Sequence, residues 1–339
     1  LTLKAGHEIA FDDDLRVSIL SFGASIDVWE GGELNIGTTS ASGQNGTHTV
    51  GHTGFWQEFG YTENTTFRFG LERQSPIAGD FEALGPINES GLSNPRLSES
   101  FWAINAGFDH SGDIWETGAS AEYKSADSGS QHRLKLRAVR PLSEDLSFST
   151  RAEMFQEHGA DGDWSKDYDI GSSLAWRPLD SRFALLDQIR LRHESDNDDL
   201  GQTRLINSLF YTKQLDQGHE INLRHGIKLA QFDFSGEKHK DVLNLIGAEY
   251  RHQLNEWSDI GIHGTSLHSF NGSNTEFSTG MSFGFTPFEN GWLSFGYNWS
   301  GFSDDDFAEG GETAKGAFMQ FRLKLDGTSL EKLQRRSSD

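Results

Sequence analysis

The sequence predicts an all-β chain, a transmembrane antiparallel up-and-down β-barrel of about 14 strands. Three observations predict it. Segments about ten residues long, the length of a membrane-crossing strand, follow one another from Phe101 to Leu325. Within them apolar and polar residues alternate, as side chains on the two faces of a strand do. Short polar turns recur at Ser111–Asp113, Leu142–Asp145, Leu179–Arg182, Leu215–Gly218, Leu254–Trp257 and Phe288–Gly291, with longer acidic or Gly/Ser-rich stretches midway between them. Tight turns at one end and longer loops at the other match the periplasmic and external ends of an outer-membrane barrel.

Taken in order, residues 1–63 form an N-terminal segment. Arg16–Trp29 alternates like a strand, whereas Gly37–Gly54 is rich in Gly, Thr and Ser and reads as a loop, so the segment serves as a lumen plug or as extra strands. The barrel domain is expected over 64–326. It opens on Thr65–Arg73, and residues 76–99, with Pro76, Pro86 and Pro95, read as a long external loop. Strands follow at about 101–110, 114–124, 132–140, 146–156, 167–177, 183–194, 203–213, 220–232, 241–252, 258–269, 275–286, 292–301 and 315–325. With Thr65–Arg73 the count is even, as both termini in the periplasm require, and pairing of Leu15–Gly23 and Gly54–Tyr61 would raise it to about 16. Residues 327–339 read as a periplasmic tail.

The two faces differ in chemistry. Phe277, Met281, Phe283 and Phe285 share one face of their strand, and Ser278, Gly280, Ser282 and Gly284 share the other. Leu293, Phe295, Tyr297 and Trp299 repeat this against Ser294, Gly296 and Asn298. Elsewhere the polar face carries long charged side chains. Arg133, Lys135 and Arg137 alternate with leucines, and Arg151, Glu153, Arg190, Arg192, Arg224, Lys228, Glu249, Arg251, Arg322 and Lys324 occupy the same phase of their strands. These residues are the expected pore lining. Trp102, Trp115, Trp176, Trp257, Trp292, Trp299 and several tyrosines fall near strand ends, where amphipathic rings favour a membrane interface.

Composition narrows the function classes. The net charge of −22 speaks against nucleic acid as a partner. Cysteine is absent, which suits an envelope protein. The longest apolar runs are far short of a membrane helix, and a mean hydropathy of −0.57 agrees with strands whose second face is wet. Leu1–His7 lacks the basic start and apolar core of a signal peptide, so the chain reads as a mature or trimmed form. His48 and His52 are a loose pair in a Gly-rich stretch, and Asp161, Asp163, Asp167 and Asp169 have Lys166 where a calcium loop needs Gly, so no metal and no cofactor are expected. No GxSxG or phosphate-binding loop occurs, and the sequence predicts no enzymatic activity.

The segments Trp292–Phe307 and Thr313–Asp326 resemble the last hairpin of Gram-negative outer-membrane barrels, in particular the C-terminal barrel of large repeat-bearing surface proteins. The final strand is similar to the barrel-assembly signal, with Gly316 followed by the spaced apolar residues Met319 and Phe321, although the chain runs on to Asp339 where the usual form ends on an aromatic residue. The resemblance implies recognition by the barrel-assembly machinery. The function expected is a porin-like outer-membrane channel for passive diffusion of small hydrophilic, charged solutes, in contact with outer-membrane lipid and lipopolysaccharide. The second expectation is a plugged barrel that anchors or exports a surface-exposed passenger.

Overall fold

A computed structural model describes residues 1–12, 15–43, 46–79, 100–179, 181–197, 200–215, 218–234, 237–288, 291–304, 306–307 and 313–323. Eighteen strands account for most of them: β1 Thr2–Asp12, β2 Leu15–Trp29, β3 Gly32–Gly43, β4 Gly46–Thr62, β5 Thr65–Gly79, β6 Phe101–Ser111, β7 Glu116–Ala126, β8 Gly129–Pro141 and β9 Leu146–Gly159; then β10 Trp164–Trp176, β11 Phe183–Asp196, β12 Gly201–Gln214, β13 His219–Phe234, β14 Glu237–Asn255, β15 Ser258–Ser269, β16 Asn274–Phe288, β17 Gly291–Ser300 and β18 Gly316–Leu323. The described ladders join sequence neighbours in antiparallel register, for example Phe67↔Phe108 between β5 and β6 and Phe283↔Phe295 between β16 and β17.

The architecture is the expected one, with more strands. The 14 expected segments correspond to β5–β18, and β1–β4 bring the count to 18. Gly37–Gly54, expected as a loop, lies largely in β3 and β4. Its β-branched threonines suit a pleated sheet even where apolar alternation is missing. At Gly37 the imidazole of His52 takes the place a Cβ would need. His48 and His52 are therefore strand residues. So are Asp167 and Asp169, which fall in the strand expected at 167–177 and belong to β10. Strands also extend into stretches expected as loops: β14 runs for 19 residues, and only Asp127 and Ser128 separate β7 from β8. Lys324, the 327–339 tail, most of the 76–99 loop and parts of the turns at 180, 216–217 and 289–290 lie outside the described residues.

The chain packs as two compact units. The first comprises Leu1–Arg140, Ser149–Ile170 and Arg192–Gly201. Phe67, Phe69, Leu71, Leu134 and Leu136 stand exposed on its apolar face, while Ala103 and Lys124 are buried on the other. The second comprises Pro141–Phe148, Gly171–Leu191 and Gln202–Asp339. Phe277, Phe283, Phe295, Tyr297, Trp299, Met319 and Phe321 are exposed there, and Ser278, Ser282, Ser294 and Asn298 are buried between them in sequence. The greasy rows face outward and the polar rows inward, the reverse of a soluble sheet. No helix among the described residues is long and apolar enough to cross a membrane. Antiparallel strands with continuous apolar outer rows satisfy their backbone groups against neighbours and their side chains against lipid. The fold is an outer-membrane β-barrel.

Candidate functional site

In the first unit the basic polar-face residues are tied together in pairs by shared carboxylates. Asp109 accepts from Arg137 Nη2 at 2.5 Å and also meets the Arg68 guanidinium. Gly118 permits this bridge, since a Cβ there would sit 2.7 Å from both Arg137 Nε and Asp109 Oδ1. Glu153 Oε1 lies 3.5 Å from Arg133 Nε and 3.3 Å from Lys135 Nζ, and Arg133 also stacks over Phe155 at 5.1 Å. Arg192 Nη2 reaches Glu194 at 2.7 Å and Asp167 at 3.4 Å. These pairs are largely exposed and each contributes little to stability. Their consequence is the field they leave, because Asp109 and Glu153 each serve two cations. Arg68, Arg133, Lys135, Arg137 and Arg151 line one cavity of about 590 Å³ in this unit, with Asp109, Glu122, Glu153 and Asp169.

The second unit holds a feature the sequence did not disclose. Residues 301–304 and 306–307, after β17, fold onto the polar face. Phe302 and Phe307 pack with Ile206, Leu245 and Leu267 into a buried cluster. Lys228 Nζ donates to Asp304 Oδ2 at 2.5 Å and to Asp306 Oδ2 at 3.1 Å, and Arg204 Nη1 donates to both Asp306 oxygens at 3.1 Å. All four groups are nearly buried, with side-chain exposures of 9% for Lys228 and Asp304, 11% for Arg204 and 3% for Asp306. Asp304 Oδ1 caps the turn by accepting from the Asp306 and Phe307 amides at 3.0 and 3.2 Å. Across the connection, Phe302 N donates to Thr313 O at 2.9 Å, and Asn298 Nδ2 donates to Ala314 O at 2.8 Å. Gly226 makes room for Phe307, whose Cε1 would lie 2.5 Å from a Cβ. Asp304 and Asp306, read from sequence as part of an acidic external loop, are thus inward-facing.

Burial by itself would raise the Asp306 carboxyl, but Lys228 and then Arg204 outweigh it and hold the group below the ordinary carboxylate value. A carboxylate depressed in the folded state contributes stability that is fully present above its unfolded value, about 3.9, and is lost as pH falls through the folded one. The segment is therefore expected to stay docked from neutral pH down to about 4 and to loosen below it. A nitroxide at position 303, introduced as Ser303→Cys, should report slow motion above that range and fast motion below it.

Arg251 is also buried. It meets Asp259, donates to Glu249 Oε1 at 2.6 Å and Ser282 Oγ at 3.1 Å, and stacks on Trp292 at 4.6 Å. Trp292, expected at the membrane interface, lies on the polar face, with Nε1 donating to Asp259 Oδ2 at 2.8 Å. Arg190, Arg224, Glu249 and Arg251 share a second cavity, about 650 Å³, whose walls include Asp306 and Phe307. Arg322 pairs through its backbone with Trp292 in the β17–β18 ladder. Gly316 opens β18 at φ +128°, and Met319 and Phe321 are exposed. Arg204, Phe302 and Phe307 were absent from the expected site. Arg204 occupies the polar phase of β12, the one sequence signal that pointed to it.

No family model matches the chain, and no curated protein matches it. Solved structures similar to it are outer-membrane proteins. A loop-L8 deletion mutant of OmpT, an outer membrane protein of Vibrio cholerae, is 10% identical over 82% of this chain and 95% of that one, with a TM-score of 0.43. The siderophore receptor PirA from Pseudomonas aeruginosa is 11% identical over 95% and 72%, at 0.41. The anion-selective porin from Comamonas acidovorans is 10% identical over 91% and 96%, at 0.37. The expectation of no enzymatic activity does not stand. OmpT appears among the matches in three forms, and one barrel scaffold carries unrelated functions, so neither the presence nor the absence of an activity is assigned.

Proposed function

We propose that this barrel is a channel for passive diffusion of small hydrophilic, charged solutes, narrowed by the folded-in residues 301–304 and 306–307. The observation that carries the reading is the sharing of single carboxylates by two cations in the first unit, Asp109 by Arg68 and Arg137 and Glu153 by Arg133 and Lys135. Charged side chains lining a water-filled passage govern which ions enter, and these clusters make the passage charge-selective. In this reading β1–β4 are wall strands, the exposed aromatic rows meet lipid and lipopolysaccharide, and Gly316, Met319 and Phe321 form the segment taken by the assembly machinery.

Planar-bilayer recording tests it. The protein should give a steady conductance, and replacing Arg133, Lys135, Arg137 and Arg151 together by Ser should shift the reversal potential in a salt gradient toward cations while the heat-modifiable gel shift persists. An unchanged reversal potential would remove the basis for selectivity. A second reading, the anchor or export barrel suggested by the likeness to repeat-bearing surface proteins, is favoured by the buried ion pairs and phenylalanines that fix the same segment. Bilayers that stay closed with wild-type protein would support it over the channel.

A further inference from the structure

On the polar face of the first unit one aromatic ring lies down on the sheet. Trp56 of β4 has Gly70 of β5 directly opposite it, and Gly54 precedes it by two residues on the same face. A Cβ at Gly70 would come 2.5 Å from Trp56 Cε3 and Cζ3, and one at Gly54 would come 3.6 Å from Trp56 Nε1. Those atoms belong to opposite ends of the indole, so the ring reclines across both glycines with one face toward the sheet. Both glycines are buried, and glycine inside a strand marks a close approach of this kind. The other face is open. Trp56 is only half-buried, it lines the cavity of about 590 Å³ in this unit, and among the described residues no ring or cation stacks on it. The register then sets an amide at each end of the ring. Asn105 of β6 stands opposite Gly70, and Asn35 of β3 stands opposite Gly54. Paired strands run about 4.8 Å apart, so each amide rises one strand spacing from the glycine that an end of the indole covers. Glu33 stands opposite Trp56 itself. Among the described residues the side chains of Asn35, Asn105 and Glu33 have no hydrogen-bond or ion-pair partner, nor has Trp56 Nε1.

We infer that this face binds a pyranose sugar, with a C–H face of the sugar on the Trp56 indole and its rim hydroxyls on Asn35 and Asn105. A pyranose in its chair form carries axial C–H bonds on its two faces and hydroxyls around its rim. The face of an indole is electronegative and takes the polarised C–H bonds, while its breadth matches one sugar ring. Each asparagine offers two donors and a carbonyl acceptor, enough to meet neighbouring hydroxyls that both give and receive hydrogen bonds, and Glu33 adds an acceptor at the side. The cavity volume falls in the range of small-molecule sites, about 300–1,000 Å³. The inference rests on the channel reading for its biological sense, to which it adds a neutral hydrophilic solute, but binding is measurable without transport.

The test uses the full chain folded in micelles of a sugar-free zwitterionic detergent, titrated with methyl β-glucoside and followed by saturation-transfer NMR. The glucoside should bind saturably, and the axial protons of one ring face should receive saturation ahead of those of the other. Sorbitol, which has the hydroxyls without the preformed ring, should bind at least about tenfold more weakly. Trp56→Leu should weaken the glucoside about tenfold or more and erase the preference for one ring face. Asn35→Ala and Asn105→Ala should each weaken it about threefold to tenfold, whereas Trp102→Phe on the outward face should leave it unchanged. Gly70→Ala, whose Cβ would lift the indole, should weaken it as well. If Trp56→Leu loses its heat-modifiable gel shift, Trp56→Phe takes its place: a ring remains, the platform shrinks, and affinity should still fall. Sorbitol binding as well as the glucoside, or a glucoside affinity indifferent to Trp56 and to both asparagines, overturns the inference. Glucoside binding in a protein that never conducts would retain the site and remove the channel reading, and conductance without binding would do the reverse.

Discussion

Replacing Lys228 by Met is expected to destabilise the folded protein by about 3–5 kcal/mol, since removing one partner of a buried ion pair leaves uncompensated charge behind. Asp304 would lose its cation and Asp306 one of its two. The 301–307 segment should leave the polar face, so single-channel conductance should rise along with the fall in the urea midpoint measured in micelles. Combining Lys228→Met with Asp304→Asn should recover much of the stability, because Asp306 keeps Arg204 and no buried carboxylate is left without a cation. Loss of stability without any change in conductance would mean that the segment does not narrow the passage.

Phe283→Arg should be nearly as severe, about 2–4 kcal/mol for an arginine at bilayer mid-depth on the lipid face of a barrel. Phe283 is exposed and sits between Ile260 of β15 and Phe295 of β17, both also exposed. Refolding into lipid vesicles across a urea series reads the loss. A harmless substitution would show that the outward face had been taken for the inward one.

What the sequence disclosed, and what it withheld, follows from the range of each interaction. The alternation in Phe277–Phe285 and Leu293–Trp299 is local and strong, so both faces of β16 and β17 could be assigned from residue types alone. Strands β3 and β4 were obscured because Thr38–Ser42 and Thr47–Thr53 are polar or small on both faces, leaving no period for the eye to find. The polar-face cations were legible as a phase within each strand, but their partners were not. Arg204 and Asp306 are 102 residues apart, and no local pattern separates an acidic loop that folds inward from one that stays in water. Lys228 and Arg251 were expected to line open solution. Packing of Phe302 and Phe307 buries the first, and Asp259 and Trp292 enclose the second.

The strict alternation of the two faces also constrains how the chain can change in length. One residue inserted within β14 would turn every later side chain of that strand over, carrying Glu249 and Arg251 to the lipid and Ile246 and Tyr250 into the polar interior. A pair of inserted residues would restore the facing but shift the register against both neighbours. The strands already absorb single extra residues at a few places, between Asp27 and Trp29, Thr49 and Val50, Gly60 and Thr62, Gln253 and Asn255, Thr279 and Gly280, and Phe285 and Phe288, all close to strand ends or to a glycine. Insertions and deletions in the lineage of this chain should therefore gather in its connections and at these irregular points, with the intervening strand segments fixed in length while their residue types drift.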